Sequence, residues 1–160
     1  MNIVIGVADC HVTNDVSNVL VTYALGSCVG VSIYDPIARV GGLLHFMLPE
    51  APADAAQTGK NPYMFADSGI PMMFREAYEK GAQKARLRVR VAGGAQIMDD
   101  RGVFNIGKRN CLAMRKIFWK AGVIVHAEET GGTCPRTMRL DLASGRIFLH
   151  SPNAGTEREL

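Results

Sequence analysis

Two apolar runs that each end at a proline constrain the fold of this 160-residue chain most strongly. The first, residues 28–36, is rich in Val, Ile and Tyr and stops at Asp35-Pro36, and the second, residues 41–49, begins at a glycine pair and stops at Pro49. β-Branched and aromatic residues favour extended backbone, and proline lacks the amide that a further ladder bond needs. The sequence therefore predicts an antiparallel hairpin made of two strands, CVGVSIYDP and GGLLHFMLP.

The punctuation of the remaining chain predicts two helices. The first covers residues 67–81, with Asp67 or Ser68 as its N-cap, and the second follows Asn105 and stops at Gly122. Short polar residues favour helix N-termini, and glycine favours helix C-termini because it adopts positive φ without strain. The second segment also keeps its apolar residues at helical spacing.

Further strands alternate with these helices, and residues 15–25 fit a helix or a strand equally well. The additional predicted strands cover residues 2–10, 85–94 and 123–129, together with a hairpin over residues 137–142 and 146–150. Many strands with antiparallel signals and two helices are typical of the α+β class. The length suits one domain, and we expect residues 1–160 to form it.

Composition excludes several classes of protein. The chain is 48% hydrophobic with a net charge of +3, and it has no dense basic run, so no nucleic-acid partner is predicted. No apolar stretch approaches the roughly 20 residues of a membrane span, and the N-terminus lacks signal-peptide features. We therefore expect no membrane insertion, a cytoplasmic location, and free thiols at all four cysteines.

Cys28 stands among small residues, in the sequence Gly26-Ser27-Cys28-Val29-Gly30. The Gly-x-Cys-x-Gly spacing matches a nucleophile elbow, but an elbow leads from a strand into a helix, and here a β-branched run follows. The α/β-hydrolase fold is therefore rejected. What remains is a cysteine whose neighbours leave it sterically open, as a nucleophile requires.

A thiol at neutral pH needs a base, and His45 lies on the partner strand of the predicted hairpin. A tight turn centred on Pro36-Ile37 would place Cys28 directly opposite His45, whereas a loop with an odd number of residues would put the two on opposite faces. The alternative interpretation makes Cys28 a small buried hydrophobe and His45 a satisfied core histidine. A third group would orient the imidazole, and Thr22, Asp35, Asp67 and Asn110 are equally eligible by sequence.

Four segments resemble the CheD family of chemoreceptor glutamine deamidases from bacterial and archaeal chemotaxis. They are ALGSCVGVSIYDP, GGLLHFMLP, VAGGAQIM and NIGKRN, and the resemblance runs from about residue 3 to residue 149. Carried over by position, it implies that Cys28 is the catalytic cysteine, His45 its histidine and Thr22 the third residue. It also implies a β-sandwich core flanked by helices, similar to the catalytic domain of cytotoxic necrotizing factor toxins.

The resemblance further implies a reaction and its partners. Specific glutamine side chains of methyl-accepting receptors would be hydrolysed to glutamate through a thioester, with no metal or organic cofactor. Many members also bind the phosphatase CheC. The amide of Cys28 and Ser27 are candidates for oxyanion contacts, and Tyr63 and Asp67, near the polar loop of residues 50–62, are candidates for substrate contacts.

One segment departs from the family pattern, because GGTCPRTM carries Cys134-Pro135-Arg136 where members commonly have a Gly-Arg pair. This departure puts substrate contacts in that loop in doubt. Two other functions compete with the deamidase: a regulatory module that docks on receptors or on CheC with little turnover, and a cysteine hydrolase of another amide or ester.

Overall fold

The computed structural model describes residues 1–97, 104–152 and 155–160 of the chain. Its helices are α1 (Ala66–Glu79) and α2 (Ile106–Ala121). Its strands are β1 (Asn2–Val4), β2 (Asp9–Thr13), β3 (Val19–Leu25), β4 (Val29–Asp35), β5 (Val40–Phe46), β6 (Arg88–Gly93), β7 (Ala127–Thr130), β8 (Arg136–Asp141), β9 (Arg146–His150) and β10 (Arg158–Glu159). Over these ranges neither helix is long and apolar enough to cross a bilayer.

The strands form two five-stranded sheets that pack face to face. The outer sheet has the order β1-β3-β8-β9-β10, and the inner sheet has the order β2-β5-β4-β6-β7. Leu25, Leu43 and Met138 belong to the apolar layer between the sheets, while Val31 and Phe74 belong to a second core between the inner sheet and the two helices. The predicted α+β class, a sandwich of strands flanked by helices, is confirmed, and both helices cover the same face of the sandwich.

The central hairpin, β4–β5, forms as predicted but in a different register. Its connection spans residues 36–39, and Gly30 rather than Cys28 lies opposite His45. A tight turn at Pro36-Ile37 would have paired Cys28 with His45, so that hypothesis was wrong. The observed pairing is shifted by two residues along β4. Side chains alternate with period 2, so a shift of two residues leaves Cys28 and His45 on the same face of the sheet.

Gly30 lets the two sheets approach each other beside His45. A Cβ atom at this position would lie 2.9 Å from Leu25 Cδ1 and 3.0 Å from Met138 Sδ, closer than side-chain carbons pack. The odd-numbered neighbours on β4, Val29 and Val31, point to the helix layer instead. The alternation on this strand thus separates the core beneath the helices from the layer that holds His45.

Two predicted strands differ from those observed, and the ambiguous segment contains a strand. Residues 2–10 form two strands, because the chain turns after Ile5 and passes from the outer sheet to the inner one. The ambiguous segment 15–25 contains strand β3, and within 123–129 the strand begins only at Ala127. β-Branched composition alone does not show where a strand changes sheets.

The predicted N-cap of α1 was also wrong. The helix begins directly after Phe65, so Asp67 and Ser68 lie inside the first turn. Asp67 Oδ1 accepts a hydrogen bond of 2.9 Å from the amide of Ala51, and Ser68 Oγ donates one of 2.5 Å to the carbonyl of Pro62. The two side chains therefore anchor the preceding loop.

A buried carboxylate fixes the β4–β5 turn. Asp35 is fully buried, accepts hydrogen bonds from the amides of Ile37 (2.8 Å), Ala38 (3.1 Å) and Gln83 (2.9 Å), and pairs with Arg86 at 2.9 Å. Burial alone would raise its pKa, but the hydrogen bonds from Arg86 and the three amides outweigh that effect and hold the pKa at about 2. The turn length is thus set by a side chain that caps its amides.

We predict that Asp35→Asn lowers the free energy of unfolding by about 2–4 kcal/mol at neutral pH, because Arg86 and the turn amides lose their charged acceptor. The wild-type carboxylate has a lowered pKa, so its contribution is complete above the ordinary value of 3.8 and is lost as the pH falls through about 2. Urea unfolding between about pH 2 and pH 7 measures both effects. The exposed Asp54→Asn variant is the control, and an equal loss in both variants would contradict the prediction.

Candidate active site

A hydrogen bond between Thr22 and His45 joins the two sheets. Thr22 lies on β3 of the outer sheet and His45 on β5 of the inner sheet, and Thr22 Oγ1 is 2.7 Å from His45 Nδ1. The side chains are 0% and 2% exposed, so the contact is shielded from water. A buried polar contact of this kind is stable only when each group is satisfied, which requires a defined arrangement of hydrogens.

The second bond of Thr22 determines that arrangement. Its hydroxyl also contacts the carbonyl oxygen of Ile5 at 2.8 Å, and a carbonyl can only accept. The single hydroxyl hydrogen is therefore donated to Ile5, and Nδ1 of His45 must carry the hydrogen that Thr22 accepts. His45 Nε2 is left with its lone pair, and it is buried with no hydrogen-bond partner among the described residues. The imidazole thus presents a base at Nε2.

Cys28 shares the face of the inner sheet on which His45 lies. It directly precedes β4, two residues before Gly30, which pairs with His45, and it packs against the layer between the sheets. This is a diagonal relation, for which Cβ atoms lie somewhat less than about 7–8 Å apart. The thiol and Nε2 make no hydrogen bond in the structure.

The resting pair is electrically neutral. Burial raises the pKa of the Cys28 thiol above its ordinary 9.0, and burial lowers the pKa of His45 below its ordinary 6.5. At neutral pH the sulfur therefore keeps its proton and the imidazole is uncharged. Such a pair can transfer the proton as the sulfur attacks, without holding a thiolate beforehand.

The backbone around Cys28 is held by hydrogen bonds to three successive carbonyls. The amide of Ala95 donates to Gly26 O at 2.8 Å, Asn110 Nδ2 donates to Ser27 O at 2.9 Å, and the amide of Gly94 donates to Cys28 O at 2.8 Å. The position of the thiol is therefore set by the loop after β6 and by helix α2.

Gly93 allows that loop to approach the nucleophile. Its φ is +109°, and a Cβ atom there would lie 2.3 Å from the carbonyl oxygen of Cys28. Both the conformation and the contact exclude any side chain. The chain can therefore pass close enough to Cys28 for the next amide, that of Gly94, to donate to the Cys28 carbonyl.

A cavity of about 830 Å³ opens over Cys28. Its described lining includes Ser27, Gly94, Gly107 and Lys108, so the glycine pair after β6 and the first turn of α2 both face it. This size suits a side chain with part of the segment that carries it. Across the described ranges, no group of three or more Cys, His, Asp or Glu side chains is arranged to hold a metal ion.

Comparisons with known proteins show which family the sequence is similar to. The family described as CheD, CheD chemotactic sensory transduction, matches residues 47–151. A probable chemoreceptor glutamine deamidase CheD of Solibacter usitatus is 52% identical over 158 residues, covering 99% of this chain and 92% of the relative. A second, from Syntrophus aciditrophicus, is 48% identical over 159 residues and covers 99% of both chains.

The chain belongs to the CheD family. The family match begins after Cys28 and His45, but the alignments with the two full-length relatives cover nearly the whole chain. Among solved structures, the hypothetical protein YfiH of Bacillus licheniformis is similar, with a TM-score of 0.44 and 16% identity over 76% of this chain and 50% of that protein. The CheD chain therefore spans about half the length of that structure.

The structure brings together some of the predicted site residues of this CheD chain and not others. Cys28 and Ser27 line the cavity, and Thr22 contacts His45. Tyr63 and Asp67 do not line it: the Tyr63 hydroxyl bonds to the carboxylate of Glu76, and Asp67 bonds to the loop before it. Their roles in substrate contact stay predictions.

The alternatives to Thr22 as the orienting group lie elsewhere. Asp35 is held by Arg86 at the far end of β4, and the described bonds of Asn110 go to backbone carbonyls rather than to His45. Sequence reasoning missed the role of Asn110 beside Cys28. One signal was present, because a polar residue stands at position 110 among the apolar positions of the NIGKRN helix.

The departure at Cys134-Pro135-Arg136 lies next to the cavity floor. Arg136 is nearly buried, pairs with Glu129 at 3.3 Å and donates to the carbonyl of Gly131 at 2.6 Å. Gly131 lines the cavity, whereas Cys134 does not. The arginine thus supports the lining loop from behind.

We predict that the neutral His45 ring carries its hydrogen on Nδ1 and titrates below pH 6.5, since burial disfavours the imidazolium and Thr22 can only accept. Ring-nitrogen chemical shifts measured by NMR across a pH series report both properties. Thr22→Val should remove the preference for Nδ1, while His11→Gln, which changes a histidine outside this contact, should leave the His45 signals unchanged. A wild-type ring protonated on Nε2 or charged at neutral pH would contradict the assignment.

Proposed function

We propose that this CheD-family chain is a protein-glutamine deamidase that hydrolyses glutamine side chains of methyl-accepting chemoreceptors to glutamate and releases ammonia. In this proposal Cys28 is the nucleophile, His45 the general base and acid, and Thr22 the residue that orients His45. The observation that carries it is the unpartnered Nε2 of a Thr22-bound histidine on the same face as a cavity-lining cysteine. The names of the two relatives, both probable chemoreceptor glutamine deamidases, support the choice of substrate.

In the first step His45 Nε2 takes the proton of the Cys28 thiol as the sulfur attacks the carboxamide carbon. A carbon–sulfur bond forms, and the carbonyl π electrons move to the oxygen. The imidazolium keeps its Nδ1 hydrogen on Thr22, so the charge that forms is held by an oriented dipole. Because both partners start neutral, the step does not depend on a stored ion pair.

In the second step the tetrahedral intermediate collapses. The electrons return to the carbonyl, the carbon–nitrogen bond breaks, and His45 gives the proton on Nε2 to the departing NH2 group. That group leaves as ammonia, and a thioester remains on Cys28. Water then enters, loses a proton to Nε2 and attacks the thioester carbon. The sulfur leaves with that proton, so one water is consumed and glutamate and ammonia are the products.

The tetrahedral oxygen needs donors close to the sulfur. The N–H of Cys28 belongs to the residue that carries the thiol, and no backbone carbonyl of the described residues accepts it. We assign it as the first oxyanion donor, with the hydroxyl of Ser27, which lines the same cavity, as a second contact.

The setting of the reaction is part of the proposal. We infer that residues 1–160 work as one domain in the cytoplasm, on the cytoplasmic parts of receptors, and that CheC is a further partner. No metal or organic cofactor enters the proposed steps, since thiol and imidazole supply the nucleophile and the proton transfers.

The test incubates the purified protein with a chemoreceptor cytoplasmic domain and maps conversion of Gln to Glu by peptide mass spectrometry. We expect conversion by the wild type and a loss of at least about 1000-fold in Cys28→Ala and His45→Ala, since removing either triad member removes the chemical step. Thr22→Val, which misplaces the base, should lose about 10- to 100-fold. Cys134→Ala, which changes a thiol outside the cavity, is the control and should match the wild type.

Two results would overturn the proposal: no conversion by the wild type, or equal conversion by Cys28→Ala. Binding to the receptor without conversion would instead favour a docking module. Conversion of free amides or esters with no action on receptors would favour a different cysteine hydrolase.

The pH dependence of kcat/KM tests the neutral resting pair. His45 must be unprotonated to accept the thiol proton, so activity should fall only as the pH drops through a pKa below 6.5. Cys28 must keep its proton for the same transfer, so the alkaline limb should lie above pH 9.0. Initial rates from about pH 4 to about pH 10 give both limbs. An alkaline limb well below 9.0 would indicate a thiolate–imidazolium pair and contradict this prediction.

A further inference from the structure

Asn110 is a polar side chain in an apolar position. It lies on α2, on the face that buries Cys111, Met114 and Phe118, and it is 0% exposed. Burying an amide costs free energy unless all of its hydrogen bonds are made. Here the oxygen Oδ1 has no partner among the described residues. An apolar residue of the same shape would fill this place without that cost, so packing alone does not explain the asparagine.

The nitrogen of Asn110 bridges the two segments that carry the proposed catalytic pair. Nδ2 donates to the carbonyl of Ser27 at 2.9 Å and to the carbonyl of Met47 at 2.8 Å, so both of its hydrogens are used. Ser27 precedes Cys28, and Met47 follows His45 by two residues. One side chain therefore links the approach to β4 with the end of β5.

The Ser27 carbonyl differs from its two neighbours in how it is held. The carbonyls of Gly26 and Cys28 accept from the backbone amides of Ala95 and Gly94, whereas that of Ser27 accepts from a side chain. The peptide between Ser27 and Cys28 is therefore oriented by Asn110.

That peptide contains the N–H of Cys28. In a trans peptide the carbonyl and the N–H point in opposite directions, and the described residues include no cis peptide bond. With the Ser27 carbonyl turned to Asn110, the N–H of Cys28 points away from Asn110, and it belongs to the residue that carries the thiol. A carbonyl carbon attacked by that thiol would bring its oxygen within reach of this N–H.

We propose that Asn110 is a positioning residue that orients the Ser27–Cys28 peptide so that the Cys28 N–H stabilises the oxyanion. This inference rests on the proposed deamidase function. During attack the carbon–sulfur bond forms and the displaced electron pair moves onto oxygen, where it accepts the hydrogen bond. Collapse returns the pair to the carbonyl and expels ammonia, and no proton is transferred to the oxygen.

The test measures deamidation kinetics in Asn110→Leu, which keeps the bulk but removes both donated bonds. We expect kcat to fall about 10- to 100-fold with KM within about twofold of the wild type, because the donor is misaligned rather than deleted and acts only in the transition state. Met114→Ala, four residues further on the same buried face, is the matched control. It weakens the core beneath α2 without touching Ser27, and its kcat should equal that of the wild type well below its melting temperature.

A second readout separates oxyanion stabilisation from a general distortion of the site. Iodoacetamide alkylates a thiol by displacing iodide at a saturated carbon, and no oxyanion forms there. Alkylation of Cys28 in Asn110→Leu should therefore stay within about twofold of the wild-type rate while kcat falls. A parallel loss of alkylation and turnover, or an unchanged kcat, would overturn the proposal.

If Asn110→Leu does not fold, Asn110→Ser decides in its place. It retains one donor in a smaller side chain, and we expect a smaller loss of kcat with alkylation again unchanged. A wild type without deamidase activity would instead refute the proposed function. An active wild type together with Asn110 variants of normal kcat would refute only the role of Asn110. The two failures are therefore distinguishable.

Discussion

The hydrogen bond between Thr22 and His45 is the contact on which the rest of the site depends. It is a fully buried polar link between two sheets whose facing sides are largely apolar, and the hydroxyl of Thr22 is satisfied on both sides by Ile5 and His45. A buried hydroxyl left unsatisfied would cost about 1–3 kcal/mol, so the sandwich and the imidazole tautomer stabilise each other. The packing of the two sheets therefore also determines which ring nitrogen of His45 is basic.

The helix layer contributes to the same site from the opposite side of the inner sheet. Helix α2 covers the core with Met114 and Phe118, faces the cavity with its first turn, and reaches through to the backbone beside Cys28 with Asn110. One helix face therefore combines core packing with polar contacts. This explains why its apolar pattern is interrupted.

The strands of the central hairpin could be predicted from sequence because composition and proline positions are local properties. Its register could not, since the turn length depends on how Asp35 accepts hydrogen bonds from Ile37 and Ala38 and on Arg86, far along the chain. The shared face of Cys28 and His45 survived the error because alternation repeats every two residues.

The groups around the pair were less accessible to local reasoning. Thr22 stood among equally eligible residues until a family resemblance selected it, because a contact between two sheets leaves no periodic trace in one sequence. The Asn110 contacts join residues far apart in the chain. Their one signal in the sequence was a polar residue at an apolar position of the helix. The N-cap of α1 was missed for a related reason: Asp67 and Ser68 bond to a loop whose path the sequence does not reveal.

The carbonyl of Ile5 gives the first few residues a chemical role that their exposure would not suggest. Strand β1 is short and largely exposed, yet it runs parallel to β3 and sets Ile5 against Thr22. The amino group of Met1 closes this arrangement by donating to Ser17 O at 2.7 Å. Loosening the start of the chain would free the threonine hydrogen to turn towards the ring, and the imidazole could then present its lone pair to Thr22 and its hydrogen to the sulfur. The tautomer of His45 therefore depends on the carbonyl of Ile5, which lies outside the residues that the family match covers.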